Sequence, residues 1–424
     1  MVHKQIKIFV AMVIALVISS FITKGLFLNQ SPNLNVRFFS SLPIAIKNIT
    51  TKLPQFLSIQ SKPAVNPETE NSQSINFFRL VPASPRNETR NKSIPIITNA
   101  ISTQNNAQSS PNITYAQRLS TSKLGIFILP FSTPGAEKII ASGPKVVKTM
   151  LYEVDESVVN AIKNYKKHFP QAISSLRLNI DPPSNYDAYS SATDPIRDAR
   201  DFTSTIIKPQ LDSIKSSLES FDYVEIPSGS VTVIDWDTDE NIKWMSGFWI
   251  EVTRLLLQDY HKKIVFGPLT GLSAEGTGEE MKNKLGDLAM GMVPTLRKIK
   301  EMGGIWSFPA FSTNYTTDAE TESLYAFRYR HLYNRIQKDA PDLADFPLFL
   351  SEAGVGKHSR KDEASGWQNR GTKEQYEQWL QWFDQEIKKD PYVLAAALFQ
   401  IGENNFESYN LEPISDWLSD YLKK

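Results

Sequence analysis

The chain has 424 residues, 41% of them hydrophobic, with Lys+Arg and Asp+Glu balanced at 46 each. That is enough apolar material for a sizeable core. The length suits two or three domains of roughly 150 residues, or one α/β barrel of roughly 250 residues with flanking segments. Cysteine is absent, which excludes disulfides, a thiol nucleophile and thiolate metal sites; the five histidines, at 3, 168, 261, 331 and 358, form no short ligand motif, so neither a metal nor another cofactor is expected.

The net charge of zero is unevenly split, with residues 1–117 at +8 and the remainder at −8. A basic tail that touches an anionic surface and an extended tail that merely lacks Asp both fit this split. Lys4 and Lys7 precede an uncharged run, Ile8–Ile22, that ends at Lys24. Fifteen helical residues rise about 22 Å, short of a hydrocarbon core of roughly 30 Å. Adding Gly25–Leu28 with a snorkelling Lys24 makes a span possible. Residues 1–28 therefore read as a signal-anchor or a signal peptide. No clean A-x-A cleavage site follows, which favours the uncleaved anchor. Positive charge before the run puts the N-terminus inside and the bulk of the chain outside, so a membrane-anchored extracytoplasmic barrel, or a secreted one, is expected. Residues 29–117 are rich in Asn, Ser, Thr, Pro and Gln, without helical or strand period, and read as a disordered linker. Sequons at Asn29, Asn48, Asn87, Asn91 and Asn112 fit an extracellular tether and also arise by chance in such composition.

From residue 118 to 424 short apolar runs alternate with longer amphipathic segments, the pattern of βαβ units and a parallel sheet. Strands are predicted at Leu124–Leu129, Lys145–Met150, Ser175–Ile180, Tyr223–Ile226, Lys263–Phe266, Gly304–Phe308, Leu348–Ser351 and Leu394–Gln400. Helices are predicted at Gly135–Ala141, Glu156–His168, Pro195–Leu218, Trp244–Tyr260, Glu279–Met302, Thr321–Asp339, Lys373–Lys388 and Ile414–Leu422, with Asp155 and Asp194 as N-cap candidates. Eight strand-helix units predict an α/β fold, a (β/α)8 TIM barrel; a doubly wound open sheet is the alternative. No G-x-G-x-x-G or G-x-x-x-x-G-K-[ST] follows the first strand. A monomer with no nucleic-acid partner is expected.

In such a barrel the chemistry sits where strands end. Strand seven ends in Ser351-Glu352-Ala353-Gly354, strand four in Glu225-Ile226-Pro227, strand three in Arg177-Leu178-Asn179-Ile180-Asp181, and strand eight runs into Gly402-Glu403. Trp236, Trp306, Phe308, Phe311, Tyr315, Trp367 and Phe406 lie nearby in sequence. Carboxylates with aromatic rings suit a sugar site, because rings stack on the apolar faces of pyranoses and acids act on the glycosidic bond. Candidate catalytic residues are Glu352 and Glu225; candidate carbohydrate-binding residues are Arg177, Asp181, Trp306, Phe311, Tyr315 and Glu403. Each also has a structural reading: Glu352 as a salt-bridging strand-end residue, Glu225 as a barrel-mouth acid, Trp306 and Phe308 as packing, and Arg177 as the partner of either glutamate.

The segment Phe346-Pro347-Leu348-Phe349-Leu350-Ser351-Glu352-Ala353-Gly354 resembles the strand-seven nucleophile motif "P-hydrophobic-hydrophobic-T-E-x-G" of the clan of (β/α)8 retaining glycoside hydrolases that includes cellulases and β-xylosidases. Tyr325–Arg330 and Leu398–Gly402 with Phe406 are weaker supporting pieces. The resemblance implies a retaining two-carboxylate hydrolase of β-linked polysaccharide or oligosaccharide, with Glu352 as nucleophile. The departures point the other way. The clan's strand-four Asn-Glu, which carries the acid/base, falls on Ser228-Gly229; its strand-six His and Tyr fall on Pro309-Ala310-Phe311; its strand-one His falls on Phe127. Three outcomes stay open: Glu225 has become the proton donor, a loop acid such as Asp235 or Asp237 reaches in, or the barrel has lost hydrolysis and is a carbohydrate-binding or surface scaffold protein.

Overall fold

A computed structural model describes residues 114–424 except 130–132, 152–153, 155, 180–188, 190, 228–235, 268–277, 357–365 and 403–405. The expected anchor and linker, and Asp155, lie outside the described residues, apart from the linker's last four, 114–117. Eight parallel strands close into a barrel in sequence order: β1 Leu124–Ile128, β2 Val146–Met150, β3 Ile173–Arg177, β4 Tyr223–Pro227, β5 Lys263–Gly267, β6 Ile305–Ser312, β7 Leu348–Val355 and β8 Val393–Ile401, with β8 pairing back onto β1. The fold is the α/β TIM barrel, and the open-sheet alternative is excluded by the β1–β8 ladder.

The outer layer is built by α1 Pro134–Ala141, α2 Glu156–His168, α3 Pro195–Phe202, α4 Lys208–Ser213, α5 Asp239–Tyr260, α6 Gly278–Glu301, α7 Ala319–Glu322, α8 Tyr329–Asp339, α9 Lys373–Lys388 and α10 Ser415–Leu422. Caps explain several starts. Asp194 accepts from the Ile196 and Arg197 amides ahead of Pro195, and Thr372 with Gln375 forms a reciprocal capping box on α9. Two long helices expected from periodicity are interrupted. The first breaks into α3, a π-helical turn over Thr203–Ile207, and α4. Pro209 lacks an amide hydrogen, so the regular ladder cannot run through it. The second splits into α7 and α8 because the Glu322 carbonyl accepts from both Tyr325 and Phe327, closing a turn. Strand β3 starts two residues earlier than expected, because Ile173 and Ser174 pair with Val146 and Val147 of β2.

Side-chain parity separates two apolar groups. Ile126, Val147, Leu176, Val224, Ile264 and Trp306 face the helices, whereas Phe127, Val146, Val265, Ile305, Phe349, Ala397 and Phe399 fill the interior. Alternation then assigns Lys148, Arg177 and Glu225 to the interior, since their chain neighbours face outward. Strand β7 breaks the alternation. Leu350 and Ala353 both face the helices, and the pairing with β8 shifts between them. Strict alternation from Phe349 would turn Glu352 outward; the irregularity turns it inward.

Gly125 shows how closely the interior is packed. A Cβ there would lie 2.2 Å from the Val146 carbonyl oxygen, whereas one at Gly286 on α6 would meet only the Arg335 stem at 3.4 Å. Gly125→Ala should therefore cost about 2 kcal/mol or more by urea unfolding. Gly286→Ala, in a helix interior with room to spare, should be neutral or stabilise by roughly 0.5–1 kcal/mol. Equal effects of the two changes would contradict the packing described.

Candidate functional site

Four charged side chains from four strands meet inside the barrel. They are Lys148 from β2, Arg177 from β3, Glu225 from β4 and Glu352 from β7, each no more than 4% exposed. The Lys148 ammonium lies 2.7 Å from Oε2 of Glu225 and donates to its Oε1 at 3.0 Å. It stands 3.9 Å from Oε1 of Glu352 and donates to the Ser351 carbonyl at 2.8 Å. Arg177 pairs through Nη1 with Oε1 of Glu352. The Phe127 ring closes the remaining side, with its centroid 4.3 Å from the Lys148 nitrogen.

Each part of this arrangement follows from strand geometry. Lys148 occupies the middle of Val-Val-Lys-Thr-Met, an otherwise buried strand, so its ammonium has no path to bulk water and must find partners inside. The irregularity in β7 supplies two of them, because it aims the Ser351 carbonyl and the Glu352 carboxylate to the same side. Two cations and two anions make the cluster neutral, the condition under which buried charges are tolerable. Burial pushes the Lys148 pKa below the usual lysine range and Arg177 adds to that effect, while Glu225 and Glu352 oppose it.

The cluster gathers three of the eight sequence-predicted residues, Glu352, Glu225 and Arg177, and realises the pairing of Arg177 with Glu352. Phe311 also faces the interior, edge-on to Phe399 and Tyr409, with centroids 6.0 and 6.3 Å away. Trp306 faces the helices instead, fully buried and stacked on Tyr333 at 5.4 Å. Tyr315 is tied down at the rim, where its hydroxyl donates to the Trp367 carbonyl at 2.5 Å. Asp181 and Glu403 lie outside the described residues, as do Ser228, Gly229 and Asp235. Asp237 accepts from Asn241 at 2.7 Å and serves the start of α5. Among the described residues, no group of three or more His, Asp or Glu is placed to hold a metal ion, and no helix is long and apolar enough to cross a membrane.

Lys148 is the residue that sequence reasoning missed. Its signal was present: a lone lysine inside a strand otherwise built of Val, Thr and Met.

No family model matches the chain, and no curated protein matches it by sequence. Its similarities are to solved structures of glycoside-cleaving barrels. A GH5-4 broad specificity endoglucanase from an uncultured bacterium is 11% identical with a TM-score of 0.40, over 74% of this chain and 98% of that one. The endo-β-1,4-mannanase from Thermotoga petrophila is 11% identical at 0.39, over 71% and 76%. The β-glucuronidase of Bacteroides uniformis is 9% identical at 0.40, over 72% of this chain and 36% of that one. Scores this low decide nothing about chemistry. The barrel stands on its own strand pairing.

Removing the shared cation should expose what it balances. Lys148→Met removes the ammonium 2.7 Å from Glu225 and leaves Arg177 as the cluster's one cation against two buried carboxylates, so stability should fall by roughly 3–5 kcal/mol at pH 7. An uncompensated buried carboxylate regains stability on protonation, so the deficit should shrink as the pH falls toward 5. A deficit that is small, or constant across that range, would show that Lys148 is not what Glu225 depends on.

Proposed function

We propose that the chain is an extracytoplasmic, carbohydrate-binding barrel built on a glycoside hydrolase-like plan, which has kept the position of the nucleophile and lost the proton donor. In this reading the N-terminal hydrophobic segment holds the barrel at the membrane surface. The ligand is a β-linked polysaccharide or oligosaccharide lying over the strand ends. Arg177 and Glu352 form the floor of the site and Phe311 contributes apolar surface near them.

One observation carries the reading: both oxygens of Glu225 lie within 3.0 Å of the Lys148 ammonium. A general acid needs a free O–H aimed at the leaving group, whereas Oε1 of Glu225 accepts from the ammonium and the whole side chain is buried beside it. The residues where the resembled clan carries its acid/base, Ser228 and Gly229, have no acidic group. Without acid assistance the roughly 10²–10⁴-fold contribution of general acid catalysis is lost, which matters most for a sugar leaving group.

Retaining hydrolysis is the second reading, and proximity favours it. Lys148 contacts the two carboxylates at 2.7 and 3.9 Å, so their nearest oxygens are no further apart than those contacts together. That is compatible with the ~5–5.5 Å of a retaining pair and short of most of the ~6.5–9.5 Å inverting range.

The two readings separate in one experiment on full-length protein. Binding of cello-, xylo- and manno-oligosaccharides is measured by calorimetry, alongside turnover of the same sugars and of aryl glycosides with good leaving groups. The proposal expects binding that Arg177→Ala weakens, and no release from natural sugars. Release from natural sugars that Glu352→Ala abolishes establishes the second reading and defeats the first. If no β-linked sugar in the panel binds or reacts, the carbohydrate assignment itself fails.

A further inference from the structure

A second buried acid stands apart from the four-residue cluster. Glu322, the last residue of α7, is fully buried, as is Ser312 at the end of β6. The Ser312 Oγ lies 2.6 Å from Glu322 Oε1 and 2.5 Å from the Asn314 carbonyl oxygen. Both separations are hydrogen-bond distances between oxygens, and each needs a proton between them. Ser312 has one hydroxyl hydrogen and the Asn314 carbonyl has none. If Glu322 were a carboxylate, one contact would press two unshared lone pairs together in a dry environment. With Glu322 neutral the count closes: its O–H would donate to Ser312, Ser312 would donate to the Asn314 carbonyl while accepting from the Asn314 amide at 3.2 Å, and Glu322 Oε2 accepts from the Ala326 amide at 3.2 Å.

We propose that Glu322 is carried as a neutral acid and acts as a proton-operated latch on the β6 rim of the barrel mouth. Protonated, it holds β6, the 313–318 turn and the 323–328 turn as one unit; ionised, it releases them.

The surroundings support this. Burial raises the Glu322 pKa to about 7 and the Asp318 carboxylate pushes it further up, while the Ala326 amide opposes them. Among the described residues, no cation figures in what shifts its pKa. Arg328 donates through Nε to the Leu324 carbonyl, and Arg370 donates to the Thr313 carbonyl. His331 sits on the Ser323 carbonyl, with Glu279 and Lys282 of α6 acting on it from the other side. The latched turn reaches the mouth directly. Phe311, just before Ser312, lies in the barrel interior, and the Thr313 and Tyr315 contacts tie the turn to residues 367–370 beyond β7. The sign follows from the raised pKa. Stabilisation from the neutral acid is fully present below the ordinary glutamate value and is lost as the pH rises through about 7. The latch does not depend on what the barrel binds.

Glu322→Gln tests it, because the amide keeps both hydrogen bonds and cannot ionise. In the full-length chain, the melting temperature of the wild type should fall by roughly 5 °C more than that of Glu322→Gln between pH 6 and 8.5. Amide exchange across residues 313–328, corrected for its intrinsic pH dependence, should rise in the wild type alone. If the variant does not fold, carboxyl-carbon NMR of glutamate-labelled wild type decides: one glutamate should titrate near neutrality. Parallel loss of stability in both proteins, or titration of every glutamate in the ordinary acid range, overturns the proposal.

Discussion

An ammonium buried inside a barrel, with no water to solvate it, is the constraint on which the rest of this structure depends. An isolated ion in such a place is intolerable, and the chain meets the demand with two carboxylates, a carbonyl and an aromatic face drawn from three other strands. Meeting it fixes several otherwise unrelated features. Strand β4 must present Glu225 at the level of Lys148. Strand β7 must break its alternation so that Glu352 and the Ser351 carbonyl turn inward together. A second carboxylate calls for a second cation, which Arg177 supplies. The sum is neutral, and its charges are shared across strands distant in sequence, so the cluster rewards closure of the barrel rather than any local element.

The same neutrality shapes the functional reading. A retaining pair needs one carboxyl free to give up a proton and one free to attack. Here both acids are engaged by cations, in a barrel whose strand-four, strand-six and strand-one positions read Ser228-Gly229, Pro309–Phe311 and Phe127. In the proposed reading, charge that a hydrolase would use in turnover is used in holding the interior together. The neutral acid at Glu322 puts a further polar demand at the rim, where burial and proton count set the state of the group. Both features show polar groups in this barrel committed to internal partners before any ligand arrives.

Much of the architecture was legible because periodicity is a local property. The apolar runs from Leu124, Lys263 and Leu348 announced strands, and the ends of Glu156–His168 and Lys373–Lys388 coincide with the helices observed. What was not legible depends on pairing. The inward turn of Glu352 comes from an irregularity against β8, and nothing in Leu348–Val355 alone marks it. Trp306 looked like a sugar platform beside a strand end, yet parity sends it outward onto Tyr333. The division of the segment around Glu322 into α7 and α8 rests on a carbonyl shared by two amides. The pairing of Arg177 with Glu352 was legible because a cation at a strand end seeks the nearest acid wherever the register brings one. Lys148 was passed over because its strand scored as apolar on average, which hides the one residue that breaks the average.

The central claim is that Lys148 and Glu225 act as one buried unit. A double-mutant cycle with Lys148→Met and Glu225→Gln, read by urea unfolding at pH 7, measures it most directly. The account predicts non-additivity: the double variant should be more stable than the summed losses imply, with a coupling of roughly 2 kcal/mol or more. Additive losses within about 0.5 kcal/mol would mean that the two side chains do not depend on each other, and the neutral-cluster account would be wrong.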